Sequence, residues 1–367
     1  MGAAKQQDAV FLTLDGIRGF GAIVVVVVHS ILFWGMVSNA PVVPFVVDVF
    51  LILSGFVVAF AYEPKIAAGM STAAFMRLRI VRLYPLYLLG IVLGGAVLTL
   101  ASLDDAGKLA AVAGATVPQL AMLPSPPINA WGDLYPLNMP AWTLLFELLV
   151  NLIYVLFWKR LTTAVVILLV AFSVGFLVAL SLIHGTLDMG STWWMAWGGF
   201  ARAMFGFFAG VLIYRLMGSP REAPKRRSWM ALPALLVVPA LTFLPEMPIP
   251  RIFVELGIVF IAGPTLVVWG ASLQPPPRFA AVLAWFGAVS YALYIVHYPI
   301  FQVVKRLSGR IPALYETYAP WTGLAILVIA IAVAAAAVEF YDRPMRRWMG
   351  ALLRGKPQAR PGASIAP

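Results

Sequence analysis

Apolar residues run through this chain in blocks long enough to cross a bilayer, separated by short polar or proline-rich stretches. About 20 consecutive apolar residues span the ~30 Å hydrocarbon core as a helix. On that criterion the pattern predicts ten spans, at 17–38, 44–62, 82–101, 140–158, 162–183, 196–217, 229–245, 251–272, 281–304 and 320–341. They fill nearly the whole chain. The expected fold class is therefore an all-α integral membrane protein, embedded in the lipid bilayer through one transmembrane domain over 1–345. A cytoplasmic, disordered tail is expected over 346–367, which is rich in Pro, Gly and charge from Gly355 onward. No small-residue cleavage site follows the first apolar run, so the first span is expected to be retained.

Composition agrees with this picture. Apolar residues make up 62% and charged residues 11%, against roughly 25% charged in soluble domains. There is no cysteine, which excludes disulfides, metal–thiolate sites and a cysteine nucleophile. No metal site and no bound cofactor are expected. The net charge of +11 points to cytoplasmic loops rather than to nucleic acid, because no soluble basic domain exists to carry such binding. Ten spans put both termini on one side. Of 26 basic residues, Lys108, Arg251, Lys305, Arg306 and Arg310 fall on the opposite side, Arg18 and Arg202 fall within spans, and the other 19 share the side of the termini. The positive-inside rule then makes both termini cytoplasmic, in a multi-pass plasma membrane protein, the bacterial inner membrane being expected. Lys305, Arg306 and Arg310 read either as lipid-headgroup contacts or as contacts to an anionic acceptor. The long outer loop, 102–139, is apolar in its first part and proline-rich in its second, and reads as a packed surface loop or as a lid over an outward-facing site.

Ionisable residues inside spans are costly and are functional candidates by default. Arg18 and His29 lie eleven positions apart in the first span, which lifts His29 roughly 16 Å above Arg18 along a helix. Counted from the outer surface, Asp48 lies roughly 6 Å deep, Arg202 roughly 9 Å, Glu147 roughly 10 Å and His29 about 12 Å, with His297 at a similar level. Five helices thus bring ionisable groups to the outer half of the membrane, which predicts one buried polar site. Each has a plainer reading: a structural ion pair for Arg202, a helix cap for Asp48, an aromatic-belt position for His297 and a hydrogen-bonded core residue for His29. His184 reads as loop surface. A neutral imidazole beside a carboxylate makes a hydroxyl nucleophilic, so His29 is the expected catalytic base, with Glu147 or Asp48 orienting it and Arg202 or His297 stabilising an oxyanion. On the inner side, Arg79 and Arg82 share one helical face and read either as positive-inside anchors or as a phosphate-binding pair.

Several segments together resemble the membrane acyltransferase 3 family. They are Leu14-Asp15-Gly16-Ile17-Arg18-Gly19 with His29 after it; Val47-Asp48-Val49-Phe50-Leu51-Ile52-Leu53-Ser54-Gly55-Phe56; Arg79-x-x-Arg82 before Tyr84-Pro85; Trp142-Thr143-Leu144-Leu145-Phe146-Glu147; and Ser290-Tyr291-x-x-Tyr294-x-x-His297-x-Pro299. Arg202 before Phe207-Phe208-Ala209-Gly210 also fits. The resemblance covers about residues 11 to 345. It implies an acyltransferase that moves an acyl group, usually acetyl, from cytoplasmic acetyl-CoA or another acyl-CoA as co-substrate to a hydroxyl of a glycan acceptor, an extracytoplasmic polysaccharide or its lipid-linked precursor. Other polysaccharide-biosynthesis proteins would be partners. Thr143 stands where the family usually has serine, and no extracytoplasmic hydrolase-like domain, which some members carry, is expected after the tenth span. On this reading Arg79 and Arg82, with Arg18, hold the acyl-CoA phosphates, and His29 activates the acceptor, either for direct attack or after being acylated itself. The rival readings are a transporter or flippase for an acyl donor or lipid-linked glycan, and a degenerate subunit of a larger polysaccharide machine. The two symmetric halves common in transporters are not visible in the sequence.

Overall fold

The structure is a computed structural model that describes residues 11–33, 44–245, 247–311, 314 and 317–353. Helices α1 (Leu12–Phe33), α2 (Pro44–Ala67) and α3 (Thr72–Leu100) are followed by a shorter α4 (Ala106–Leu120), then α5 (Trp142–Phe157), α6 (Thr163–His184) and α7 (Ala196–Leu216). Next come α8 (Pro233–Thr242), α9 (Arg251–Gly257) and α10 (Gly263–Ser272), the last two joined by a π-turn at Ile258–Ala262. The chain closes with α11 (Ala280–Ser308), α12 (Ala319–Ala337), a second π-turn at Val338–Asp342, and α13 (Arg343–Leu353). Among the described residues, nine helices are long and apolar enough to cross a membrane. In lipid every backbone N–H and C=O must be satisfied within the segment, which is why apolar runs of this length become helices.

The seventh predicted span differs. It holds only α8 and a 3₁₀ turn, together Trp229–Thr242, about 21 Å of helix. The chain still crosses here. Gln274 receives the Ser228 N–H on its carbonyl and donates its own N–H to Arg226, while its side-chain oxygen accepts the Leu12 N–H at the start of α1. The start of α9 lies at the other face, where Glu255 accepts the Leu187 N–H beyond the end of α6. Helix α8 thus starts at one face of the bundle and α9 at the other; residue 246, between them, lies outside the described residues. The ends of the bundle that carry the start of α1 and the basic loops form one face, called here the basic face; the other is the far face.

Helix α7 is the centre of the bundle, with 72% of its spanning window buried, against 22% for the lipid-facing α6. It packs on α2 through small residues. A Cβ at Gly55 would run into the Phe207 carbonyl, and one at Gly210 into the Ile52 carbonyl. Helices in lipid lack a hydrophobic drive to associate and rely on such close backbone approach. Helices α1 and α11 pair in the same way, with Gly19 against Phe286 and Gly287 against Asp15.

Two expectations change. The second half of the long loop is a buried wedge. Residues 132–138 are all buried, Asn138 donates to the Ile295 carbonyl of α11 at 3.0 Å, and Gly94 of α3 makes room for the Leu137 carbonyl. Two backbone contacts, Leu134 N–H to Ser191 O and Trp193 N–H to Gly132 O, fasten it to the loop before α7. The tail expected to be disordered from 346 is instead helical as far as Leu353, because α13 continues the last span; residues 354–367 lie outside the described residues.

Gly55→Leu should cost well over the 1–3 kcal/mol typical of overpacking, since backbone rather than side chain blocks it. Gly114→Leu, where a Cβ meets nothing within 4 Å, should fall within about 0.5 kcal/mol of the parent. Thermal melts of the detergent-solubilised proteins compare the two.

Candidate active site

The parallel pair α1 and α11 carries both membrane histidines to one level. His29 Nδ1 and His297 Nε2 are 3.2 Å apart, and the rings stack with centroids 5.1 Å apart. His297 is completely buried, between Tyr294 and Phe301; His29 is half-buried. The hydrogen-bond direction follows from one fixed point. His297 Nδ1 lies 3.1 Å from the Leu293 carbonyl, and a carbonyl can only accept, so Nδ1 carries the proton. A neutral His297 then has a lone pair at Nε2, which requires His29 to donate from Nδ1. A neutral His29 that donates from Nδ1 keeps its own lone pair at Nε2. Both rings are thus held in the Nδ1–H form: His297 by the Leu293 carbonyl, and His29 by His297 together with the Val25 carbonyl one turn below it.

Arg18 stands about 16 Å below His29 on the same helix. Its Nη2 donates to Asp15 Oδ1 at 2.7 Å and to the Gly287 carbonyl at 2.9 Å, and its Nε donates to Ser290 Oγ at 3.0 Å. Both charged side chains remain about a quarter exposed. The same two helices therefore hold a cation near the basic face and a basic nitrogen toward the far face.

Helix α5 holds the neighbouring polar groups through three residues of its first two turns. Trp142 lies under the guanidinium of Arg202, 5.4 Å from ring to carbon. Arg202 donates to both oxygens of Asp48, at 2.9 and 3.3 Å, and to the Met189 carbonyl at 2.7 Å; both charged side chains are 1% exposed. Thr143 Oγ1 and Tyr294 O–H each donate to the Pro140 carbonyl at 3.1 Å. Glu147 accepts from Arg79 Nη2 at 2.5 Å and from Ser54 Oγ at 2.8 Å. Arg79 is buried, and its Nε–H has no hydrogen-bond partner among the described residues. Arg82, one turn on, is exposed.

The expected single site is therefore three connected ones: His29–His297, Asp48–Arg202, and Glu147–Arg79–Ser54. The carboxylates expected to orient His29 are both paired elsewhere, Asp48 to Arg202 and Glu147 to Arg79. His297 fills that position. The two oxyanion candidates are also committed, Arg202 to Asp48 and Met189, and His297 to Leu293 and His29. His184 is exposed at the end of α6, as expected. Sequence reasoning missed Asp15, Ser54, Ser290 and Tyr294 as partners. Asp15 was findable, since it precedes Arg18 by three positions on one helical face. Ser54 was not, because nothing along the chain says which helix α2 faces.

Comparison with known proteins bears on what this arrangement does. The acyltransferase 3 family, an acyltransferase domain, matches residues 11–339, almost the entire described chain. The chain belongs to that family. Among relatives, Protein 2 in the picA locus of Rhizobium radiobacter is 38% identical over 175 residues, which is 44% of this chain and 90% of that protein. No solved structure matches the chain. The protein is thus a multi-pass membrane acyltransferase.

In this acyltransferase the Asp48–Arg202 pair should be structural. Asp48→Asn leaves a buried, uncompensated guanidinium, and breaking such a pair costs about 3–5 kcal/mol. The expected outcome is a large drop in melting temperature. Arg202→Met combined with Asp48→Leu should recover much of it. A double-mutant cycle that returns no coupling would remove this role.

Proposed function

We propose that this membrane acyltransferase moves an acetyl or other short acyl group from acyl-CoA at the basic face to a hydroxyl of a glycan at the far face. The basic face is assigned to the cytoplasm of the bacterial inner membrane, with both termini there, on the positive-inside rule. The acceptor is assigned as an extracytoplasmic polysaccharide or its lipid-linked precursor, made by partner enzymes of polysaccharide synthesis. His29 Nε2 takes the proton of the acceptor hydroxyl. The oxygen bonds to the thioester carbonyl carbon, the C–S bond breaks, and the CoA thiolate leaves with the proton that His29 returns. An ester and free CoA result.

The observation that carries this reading is the direction of the hydrogen bonds from Leu293 through His297 to His29, which leaves Nε2 of the half-buried ring as an acceptor. His297 takes the orienting role a carboxylate plays in hydrolase triads, but without adding a charge at membrane depth. Arg18 guards the donor's path, because its Asp15, Ser290 and Gly287 partners sit on the line between the basic face and His29.

The test is CoA release from labelled acetyl-CoA by the purified protein, with and without candidate glycans. His29→Ala should reduce turnover by about 10²–10⁴-fold, the usual share of a general base. His297→Ala should cost about 10–100-fold, chiefly in kcat, as loss of an orienting partner does. Full activity in His29→Ala would overturn the mechanism. Trapping a labelled acyl group on His29 by rapid quench would replace direct attack with an acyl-histidine route. Translocation of labelled glycan into proteoliposomes without CoA release would favour a transporter instead.

A further inference from the structure

The second π-turn, Val338–Asp342, does something the mechanism above does not use. π-turns are rare and cluster at functional sites. This one buries Asp342, 3% exposed, against α3 and α11. Asp342 Oδ1 accepts from Arg346 Nε at 2.8 Å, and Oδ2 lies 2.6 Å from Arg346 Nη2. One edge of the Arg346 guanidinium is thereby fixed, and the edge bearing Nη1 is turned away from the carboxylate. Arg346 itself is half-buried.

Arg82 is on α3, which packs against both the π-turn and α13. It is exposed, and among the described residues no hydrogen bond or ion pair engages it. Its charge acts on Asp342, Asp15, Arg18 and Arg79. Tyr291 of α11 is within electrostatic reach of Arg82, Asp342 and Arg346, and its hydroxyl donates to the Leu83 carbonyl beside Arg82 at 2.7 Å. Four elements thus meet around two arginines at the basic end of the Arg18–His29 line.

A headgroup anchor needs no such construction. Lipid-facing arginines serve that purpose unrestrained, and a desolvated carboxylate is a costly way to hold one still. A fixed guanidinium edge opposite a free one suits a ligand with several phosphoryl oxygens, which guanidinium forks bind in a defined geometry.

We infer that Arg82 and Arg346, the latter aimed by Asp342, form a two-arginine clamp for the phosphoryl groups of the acyl-CoA donor. The clamp rests on the acyl-CoA reading and adds α13 to the donor site. Arg79, spent on Glu147, is outside it.

The test compares acetyl-CoA with S-acetylpantetheine, which carries the same thioester without phosphates, as donors for the full chain in phosphatidylcholine nanodiscs. Arg82→Ala and Arg346→Ala should each raise the KM for acetyl-CoA about tenfold or more, the size of one charge-assisted hydrogen bond. Both should leave kcat/KM for S-acetylpantetheine unchanged. Arg346→Lys should behave like Arg346→Ala, because it keeps charge and loses the fork. Asp342→Asn should show a smaller effect in the same direction. Unchanged KM for acetyl-CoA in Arg346→Ala overturns the clamp alone. Equal losses for both donors would mean damaged packing and also overturn it. If the native chain uses neither donor, the acyl-CoA reading fails and the clamp with it.

Discussion

A charged side chain in hydrocarbon must be neutralised where it sits, and this fold is organised around how it meets that constraint. Arg202, on the central helix α7, is completely buried. Asp48 of α2 answers it with both oxygens, and the Met189 carbonyl and the Trp142 face close the remaining sides. Those contacts tie α2, α5, α7 and the loop before α7 together. The close approach of α2 to α7 at Gly55 and Gly210 brings the two charges into register. Small-residue packing therefore serves the ion pair: the close approach sets the register in which Asp48 meets Arg202.

With that corner fixed, α5 sets the rest. Trp142, Thr143 and Glu147 lie within two turns, yet each reaches a different neighbour: Arg202 of α7, Tyr294 of α11 and Arg79 of α3. The helix serves as a spine on which the cation-bearing helices are spaced. Its side chains hold the walls and leave the histidine pair to the α1–α11 interface. The buried wedge at 132–138 braces α11 against α3 from the far face through Asn138, Ile295 and Gly90.

The spans were legible because hydrocarbon imposes a length and a composition that can be read one residue at a time. Among the described residues nine of ten runs became long helices; α8 stops at ten residues, Pro233–Thr242, with Pro239 inside it. Depth was legible for the same reason, and it put His29 and His297 at one level. Azimuth was not. Depth gives one coordinate, and the expected depths of Glu147, Asp48 and His29 suggested a triad; in the structure Glu147 bonds Ser54, roughly 9 Å nearer the basic face than Asp48 along α2. Which face each helix turns, and toward which neighbour, is decided by packing at Gly55, Gly210 and Gly287, each against a helix remote in sequence. The carboxylates went to arginines, the stronger partners in a dry environment, and the imidazole was left to another imidazole.

That allocation has a chemical logic. A carboxylate beside His29 would stabilise its protonated form and would itself need neutralising in the bilayer. A second neutral imidazole fixes the tautomer through hydrogen bonding alone, so the base stays uncharged between turnovers. In the proposed transfer, the positive charge that appears on His29 during attack is transient and is discharged when the thiolate leaves. Permanent charges then lie where they are paired, at Asp48–Arg202 and Glu147–Arg79, or near the basic face, at Asp15–Arg18 and Asp342–Arg346. Between Arg18 and His29 lie Gly19, Phe20, Gly21, Ala22, Ile23 and the five valines Val24–Val28. On the acyl-CoA reading, the thioester end of the donor meets no fixed charge along that run, while its phosphates stay with the arginines of the basic face. Under that proposal the helix separates the end that is held from the end that reacts.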